Sequence, residues 1–411
     1  MDTTRLLCTL ILCTTGLATA DEFQANVRTT GNQCNPALAV AADGEIVLVW
    51  TSYYSSSGRS NEIIGRYIDP NGDPISDEFQ INAVRAGNQT EPAIAINDAG
   101  FLFAAWQGPG ADGEEDIFAR ILDPNGVPVT EEIAVNAEAA GRQTCPSVAA
   151  GFAGTFVVVW ESRLPEEVSD SIAVYGRRFD VNGAPIGQEF WTDESVYDCR
   201  YPDVAADAAG NFTVTWLQDR TSNTICACQF DANGVPVAEP FDVSTADIAS
   251  TTHPSIAMAL NGDFVVVWDG DPNRASLDDI HVRCFAWDGT PRSDPFVANS
   301  LREGPQQWPQ VAMSDVNEFT VVWQHEHDDP NLATDISACR FDLDGHPVDV
   351  ETKLNGYVAD KQRYPEVATG LDGSLIAAWE SDDQDGSGYG IFALVQPPGQ
   401  IVDPNTNETS D

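Results

Sequence analysis

The sequence predicts an all-β chain: a seven-bladed β-propeller of four-stranded antiparallel blades, its ring closed by the N-terminal strand. Three observations carry this. Trp recurs at 50, 106, 160, 216, 268, 323 and 379, at intervals of 56, 54, 56, 52, 55 and 56. Fourteen residues before each Trp stands a Pro (36, 92, 146, 202, 254, 309, 365), and eleven before it an Ala. The segment Asp21-Glu22-Phe23-Gln24-Ala25-Asn26 repeats the pattern Asp77-Glu78-Phe79-Gln80-Ile81-Asn82, whereas the seventh unit lacks such a segment after Ile391. The N-terminus therefore supplies the missing outer strand and covers an open sheet edge.

Within each unit the elements follow in order. A short apolar stretch after the Pro, such as Pro146-Ser147-Val148-Ala149, forms the first strand. A near-continuous β-branched run, Phe156-Val157-Val158-Val159-Trp160, forms the second; without polar alternation it is buried on both faces. Ile117-Phe118-Ala119-Arg120 typifies the third. A D-x-N-G turn, as in Asp69-Pro70-Asn71-Gly72, then leads to a fourth strand like Glu78-Phe79-Gln80-Ile81-Asn82. No stretch carries the 3.6-residue apolar period of a helix.

Residues 1–20 read as a signal peptide. Arg5 precedes an apolar run from Leu6 to Leu17, and Ala18-Thr19-Ala20 has the small-x-small form of a cleavage site. That run is too short to span a bilayer. The domain organisation is thus a leader (1–20), a propeller (21–400) and a polar, flexible tail (401–411). The expected location is secreted, periplasmic or cell-surface. Seven cysteines lie beyond the leader, an odd number that leaves at least one thiol free or intermolecular. Cys145 and Cys199 hold nearly the same place in adjacent blades and are the expected bridge, whereas Cys228 and Cys339 are two blades apart.

The balance of 20 basic against 64 acidic residues gives a net charge of -44 and excludes a nucleic-acid partner. It also disfavours anionic membrane surfaces. The repeats P-x-[VIL]-A, G-x-[FIL]-x-x-x-W, I-x-[AG]-R and F-D-x-N-G resemble those of seven-repeat β-propeller proteins secreted by bacteria, most without an assigned activity. The Gly-Gly pair of kelch repeats and the G-H…W-D set of WD40 repeats are absent. The sialidase box would put Trp three residues after Gly, but here it stands six after, so sialidase chemistry is not implied.

Chemistry is sought where the inter-blade linkers approach the axis. The three residues before each blade Pro include Gln in five blades, and four consecutive blades end in Tyr201, His253, Trp308 and Tyr364. The Gln residues suit a structural bond to linker backbone. Aromatic faces beside amides and charges suit sugar binding, and equally suit a packing plug for the channel. Arg200, Tyr201, His253, Gln306, Trp308, Gln362, Arg363 and Tyr364 are the candidate binding residues, with Arg200 and Arg363 able to hold an acidic sugar. The function expected is a monomeric, non-enzymatic binding propeller for a polysaccharide or another secreted protein. The alternative is a carbohydrate-active hydrolase or lyase using carboxylates at the funnel mouth, such as Glu161, Asp269 and Glu380. No residue is singled out as catalytic. No cofactor or metal is expected; acidic loops such as Asp112–Asp116 and Asp382–Asp385 offer Ca²⁺ ligands only weakly, and the cluster His325–Asp329 is a weak metal motif. Arg66, Arg120, Arg177 and Arg283, on third strands, are expected to form inter-blade ion pairs.

Overall fold

The computed structural model describes residues 22–403, apart from 54–59, 138–140, 152–153, 164–170, 194–196, 221–222, 246–247, 249–251, 272–277, 315–317, 328–332 and 400. The proposed leader lies outside the described residues, as do 404–411 of the tail and Asp328 and Asp329 of the histidine cluster. Seven four-stranded antiparallel sheets are arranged as the blades of a propeller. In the first blade the strands run Gln33–Val40, Ile46–Ser52, Glu62–Ile68 and Phe79–Gln80 from axis to rim. No described residue lies in an α-helix, and no helix is long and apolar enough to cross a membrane.

The second strand of each blade carries the core. All seven residues of Ile46–Ser52 are buried, and so are all seven of Phe264–Gly270. Each sheet packs its faces against both neighbours, so both sides of this strand need apolar groups, and the sequence shows no alternation there. Six of the seven repeat tryptophans are less than 2% exposed. Each such burial contributes about 1.5–3 kcal/mol.

The closing blade joins the two ends of the chain. Phe23 pairs with Ala393 and Gln24 with Phe392, completing the sheet formed by Gln362–Thr369, Leu375–Asp382 and Tyr389–Gln396. Ala25 donates its amide to the Ile391 carbonyl at 2.8 Å, and the Ile391 amide returns to Asn26 Oδ1 at 2.7 Å. Asn82, Asn136, Asn299 and Asn355 repeat that second contact on Ile63, Ile117, Ile280 and Ile336. The Asn of the outer segment thus pins it to the third strand.

The third-strand arginines act between blades, but not as ion pairs. Arg66, Arg120, Arg177 and Arg283 each donate Nη1 to a main-chain carbonyl, of Ala25, Ile81, Val135 and Val243, at 2.7–3.0 Å. Each acceptor belongs to the outer segment of the preceding blade. A carbonyl there has no strand partner on its outer side, so a guanidinium satisfies it without a buried carboxylate.

The D-x-N-G turns are self-contained. Asp69 Oδ1 accepts the amides of Asn71 and Asp73, each at 2.9 Å, and Gly72 takes φ 92°. These amides hold the Asp69 carboxyl below its ordinary range. The turn carboxylate therefore organises its own loop.

Candidate functional site

The recurring glutamines serve the blades. Trp50, Trp106, Trp160, Trp323 and Trp379 donate their indole N–H to Oε1 of Gln33, Gln89, Gln143, Gln306 and Gln362, at 2.8–3.1 Å. The same amides donate to linker carbonyls, as Gln306 does to Glu303 and Gly304 at 3.2 Å. Gln306 and Gln362 are fully buried and do not reach the channel. Two of the sequence-proposed binding residues are thereby reassigned to structure.

Immediately before the blade Pro the backbone changes hand. Asn35, Glu91, Cys145, Tyr201, Trp308 and Tyr364 all have φ between 50° and 55°. Each sits where the pairing of first and second strands slips. The Pro that follows disfavours the right-handed helical region, and a non-Gly residue in the left-handed region costs about 1–2 kcal/mol. Such strain persists where surrounding contacts impose it. In four of these blades the contact is an amide held by the residue after the preceding blade's Trp. Glu91 N donates to Thr51 Oγ1, Cys145 N to Gln107 Oε1, Tyr201 N to Glu161 Oε1 and Asn35 N to Glu380 Oε1, at 2.6–3.3 Å.

This explains the carboxylates that follow a blade Trp. Glu161 and Glu380 accept a strained amide, and Asp269 accepts His253 N at 2.8 Å and Thr252 Oγ1 at 2.9 Å. Leu217 stands at this place in the fourth blade and has no side-chain acceptor, so the fifth blade uses its own Asp269. The inner strand of that blade is short, Ser255–Met258.

The turned residues face an axial cavity of about 660 Å³, bounded by six of the seven blade prolines, Pro36, Pro92, Pro146, Pro202, Pro254 and Pro365. On one wall four rings from consecutive blades touch in series. Tyr201 and His253 lie 4.5 Å apart, His253 and Trp308 stack at 3.6 Å and 20°, and Trp308 meets Tyr364 edge-on at 4.7 Å. All four remain partly exposed toward the cavity.

The charges on the wall differ from the sequence expectation. Arg200 does not line the cavity and pairs with Asp198 at 2.9 Å. Arg363 does line it, but pairs with Glu380 at 2.9 Å and lies 3.6 Å over the Tyr389 ring. The expected arginine fork for an acidic sugar is therefore already occupied. The residue after each blade Pro forms a second layer: Ala37, Ala93, Ser147, Asp203, Ser255, Gln310 and Glu366. Asp203 accepts Ser147 Oγ at 2.6 Å, Val204 N at 2.9 Å and Ile256 N at 2.9 Å, tying three blades together. Glu366 accepts no hydrogen bond and meets no base among the described residues. Desolvation, aided by the Asp203 charge, pushes its carboxyl up to about 8.

Sequence reasoning missed Asp203 and Glu366. The signal was present in the column after each Pro, which runs from Ala in two blades to Asp and Glu in others.

The seven cysteines form no disulfide with one another among the described residues. Cys145 is the turned residue and faces the cavity, whereas Cys199 stands two places earlier in its repeat, buried where other blades carry Gln. The expected bridge fails because the slip in pairing sends these two positions to different sides. The histidine cluster is likewise committed: His325 contacts the Glu303 carbonyl at 2.8 Å and His327 contacts Asp335 at 2.9 Å. Among the described residues, three metal-type side chains converge at Asp342, Asp344 and His346, with ligand atoms within 4.8 Å. They form one D-x-D-G-H hairpin turn, whose Asp342 Oδ1 already accepts the amides of Asp344 and His346.

No protein-family model and no curated protein matches the chain. Solved structures do. A protein of unknown function from Dyadobacter fermentans is similar over 93% of this chain and 100% of its own, with TM-score 0.56 and 10% identity. An ulvan lyase of polysaccharide lyase family PL25, bound to a GlcA–Rha3S unit, is similar over 90% and 96%, with TM-score 0.56 and 10% identity. The α-L-arabinanase of Penicillium chrysogenum, complexed with arabinobiose, covers 74% and 92%, with TM-score 0.50 and 11% identity. These likenesses establish the propeller fold, on which many functions are built.

Proposed function

We propose that this chain is a secreted, non-enzymatic binding propeller, and that its ligand is a saccharide seated in the axial cavity against Tyr201, His253, Trp308 and Tyr364. The observation that carries the reading is the unbroken contact of these four rings along one wall. A cavity of about 660 Å³ falls within the roughly 300–1,000 Å³ of small-molecule sites. Partly exposed aromatic edges offer apolar surface to a sugar ring, and the polar side chains of Ser147 and Gln310 offer hydrogen bonds to hydroxyls. Propellers of similar fold include one bound to a GlcA–Rha3S unit and one complexed with arabinobiose, which supports the ligand class. The leader pattern at residues 1–20 supports secretion.

A hydrolase or lyase is the weaker reading. Glu161, Asp269 and Glu380 hold the backbone amides that shape the ring, and Asp203 is engaged by three donors. The test is retention of the purified protein on an oligosaccharide array, with product analysis alongside. Binding without cleavage, lost on Trp308→Ala, is the expected result. Failure to bind any glycan, or an unaffected Trp308→Ala variant, overturns the reading.

A further inference from the structure

The ionisable groups on the cavity wall are unequal in sign. Glu91, Asp203, Glu366 and Glu380 line it, against Arg363 as the sole base of fixed charge. Arg363 and Glu380 neutralise each other at 2.9 Å. Asp203 has its oxygens filled by neutral donors, and burial raises its carboxyl while those donors oppose the shift. Glu366 lacks even such donors among the described residues. An anionic ligand would find carboxyl groups on this wall and no unpaired arginine or lysine among the described lining residues to receive it.

The opposite wall property points the same way. Trp308, Tyr364 and Tyr201 present π systems, whose faces attract cations, more strongly as water is excluded. A group that combines positive charge with a compact apolar ring satisfies both walls at once. We propose that the saccharide taken by this cavity carries a free amino group, as an unacetylated hexosamine does, with its ammonium received by Glu366 beside Asp203.

This rests on the saccharide reading above and narrows its ligand class. Before a ligand enters, desolvation and the neighbouring Asp203 hold the Glu366 carboxyl at about 8, so it keeps its proton near neutrality. An arriving ammonium restores the carboxylate, and the proton leaves to solvent. The other titratable groups among the described lining residues are Glu91, the Glu380–Arg363 pair, His253, the phenols of Tyr53, Tyr201 and Tyr364, and the thiols of Cys34 and Cys145. Burial raises both thiols, so they stay neutral near pH 7.

The experiment is calorimetric titration of the full chain with four oligosaccharides of equal length: glucosamine, N-acetylglucosamine, glucose and glucuronate. The free-amine oligomer should bind at least tenfold more tightly than the acetylated and neutral ones, and the uronate most weakly. Titration in buffers of different ionisation enthalpy should reveal proton release with the amine alone. Glu366→Gln should bring the amine and neutral affinities together and abolish that release while neutral binding persists. If neutral oligomers bind as tightly as the amine to the unsubstituted protein, or Glu366→Gln leaves the preference intact, the amine assignment fails and the saccharide reading stands. If none of the four binds, the saccharide reading itself fails.

Discussion

Trp216 is buried with no acceptor for its indole N–H among the described residues, and Cys199 occupies the position from which five other blades supply a glutamine. A buried donor without a partner costs about 1–3 kcal/mol. The opposite residue is Gln218, which pairs with Cys199 across the strands, whereas Gln33, Gln143 and Gln362 pair with Ser52, Ser162 and Ser381. Cys199→Gln combined with Gln218→Ser recreates the pair of the first, third and seventh blades. It should stabilise the protein by about 1–2 kcal/mol in denaturant unfolding. A neutral or destabilising result would show that the bonds of Gln218 to Asp193 and Arg220 outweigh the indole's gain.

Ring closure rests on few residues. Removal of residues 21–27 deletes the Phe23 and Gln24 pairings, the fully buried Ala25 and the carbonyl that receives Arg66. The third strand Tyr389–Gln396 then becomes an exposed edge. A hydrogen bond to a charged group is worth about 1.5–3 kcal/mol, and the lost burial adds to it. The truncated chain should unfold at a distinctly lower temperature and elute as aggregates in size-exclusion chromatography. Unchanged melting and a single monomer peak would refute closure at this joint.

What was legible in the sequence follows from repetition. The Trp and Pro spacing, the D-x-N-G turns and the match of Phe23–Asn26 to Phe79–Asn82 each recur because every blade solves the same packing problem. The partner of Gln362 was not legible, because the 17-residue separation from Trp379 becomes a contact only through the slip between Arg363 and Glu366. The third-strand arginines were read as ion pairs because sequence shows carboxylates but not which carbonyls lack strand partners. Asp203 and Glu366 were overlooked for the opposite reason: they are departures from the repeat.

Trp308 separates binding from packing. Its ring contacts His253 and Tyr364, both partly exposed, so its removal forfeits about 0.5–1.5 kcal/mol for each aromatic pair rather than a core cavity. Its φ of 55° favours glycine. Trp308→Gly should therefore be more stable than Trp308→Ala by about 1 kcal/mol, while both lose saccharide binding at least tenfold. If the two variants lose several kcal/mol alike, the arc is structural packing.

Glu366 makes a signed prediction for stability against pH. Its carboxyl titrates at about 8 in the folded protein, against an ordinary value of 4.5. Below about 4.5 the group is protonated in both states and contributes no pH dependence. Between these values the unfolded chain releases a proton that the folded protein keeps, so stability falls as pH rises, and it levels off above about 8. Glu366→Gln retains the shape of the protonated acid and cannot ionise. It should match the unsubstituted protein in denaturant midpoint near pH 4.5 and exceed it progressively toward pH 8. Because the side chain borders an open cavity, solvent softens the difference, and the sign and pH window are the measured quantities. A difference that is constant with pH, or that grows toward acid, would show that Glu366 ionises normally in the folded protein. The wall would then carry a further full negative charge near neutrality, and the proton release expected with an amine ligand would be absent.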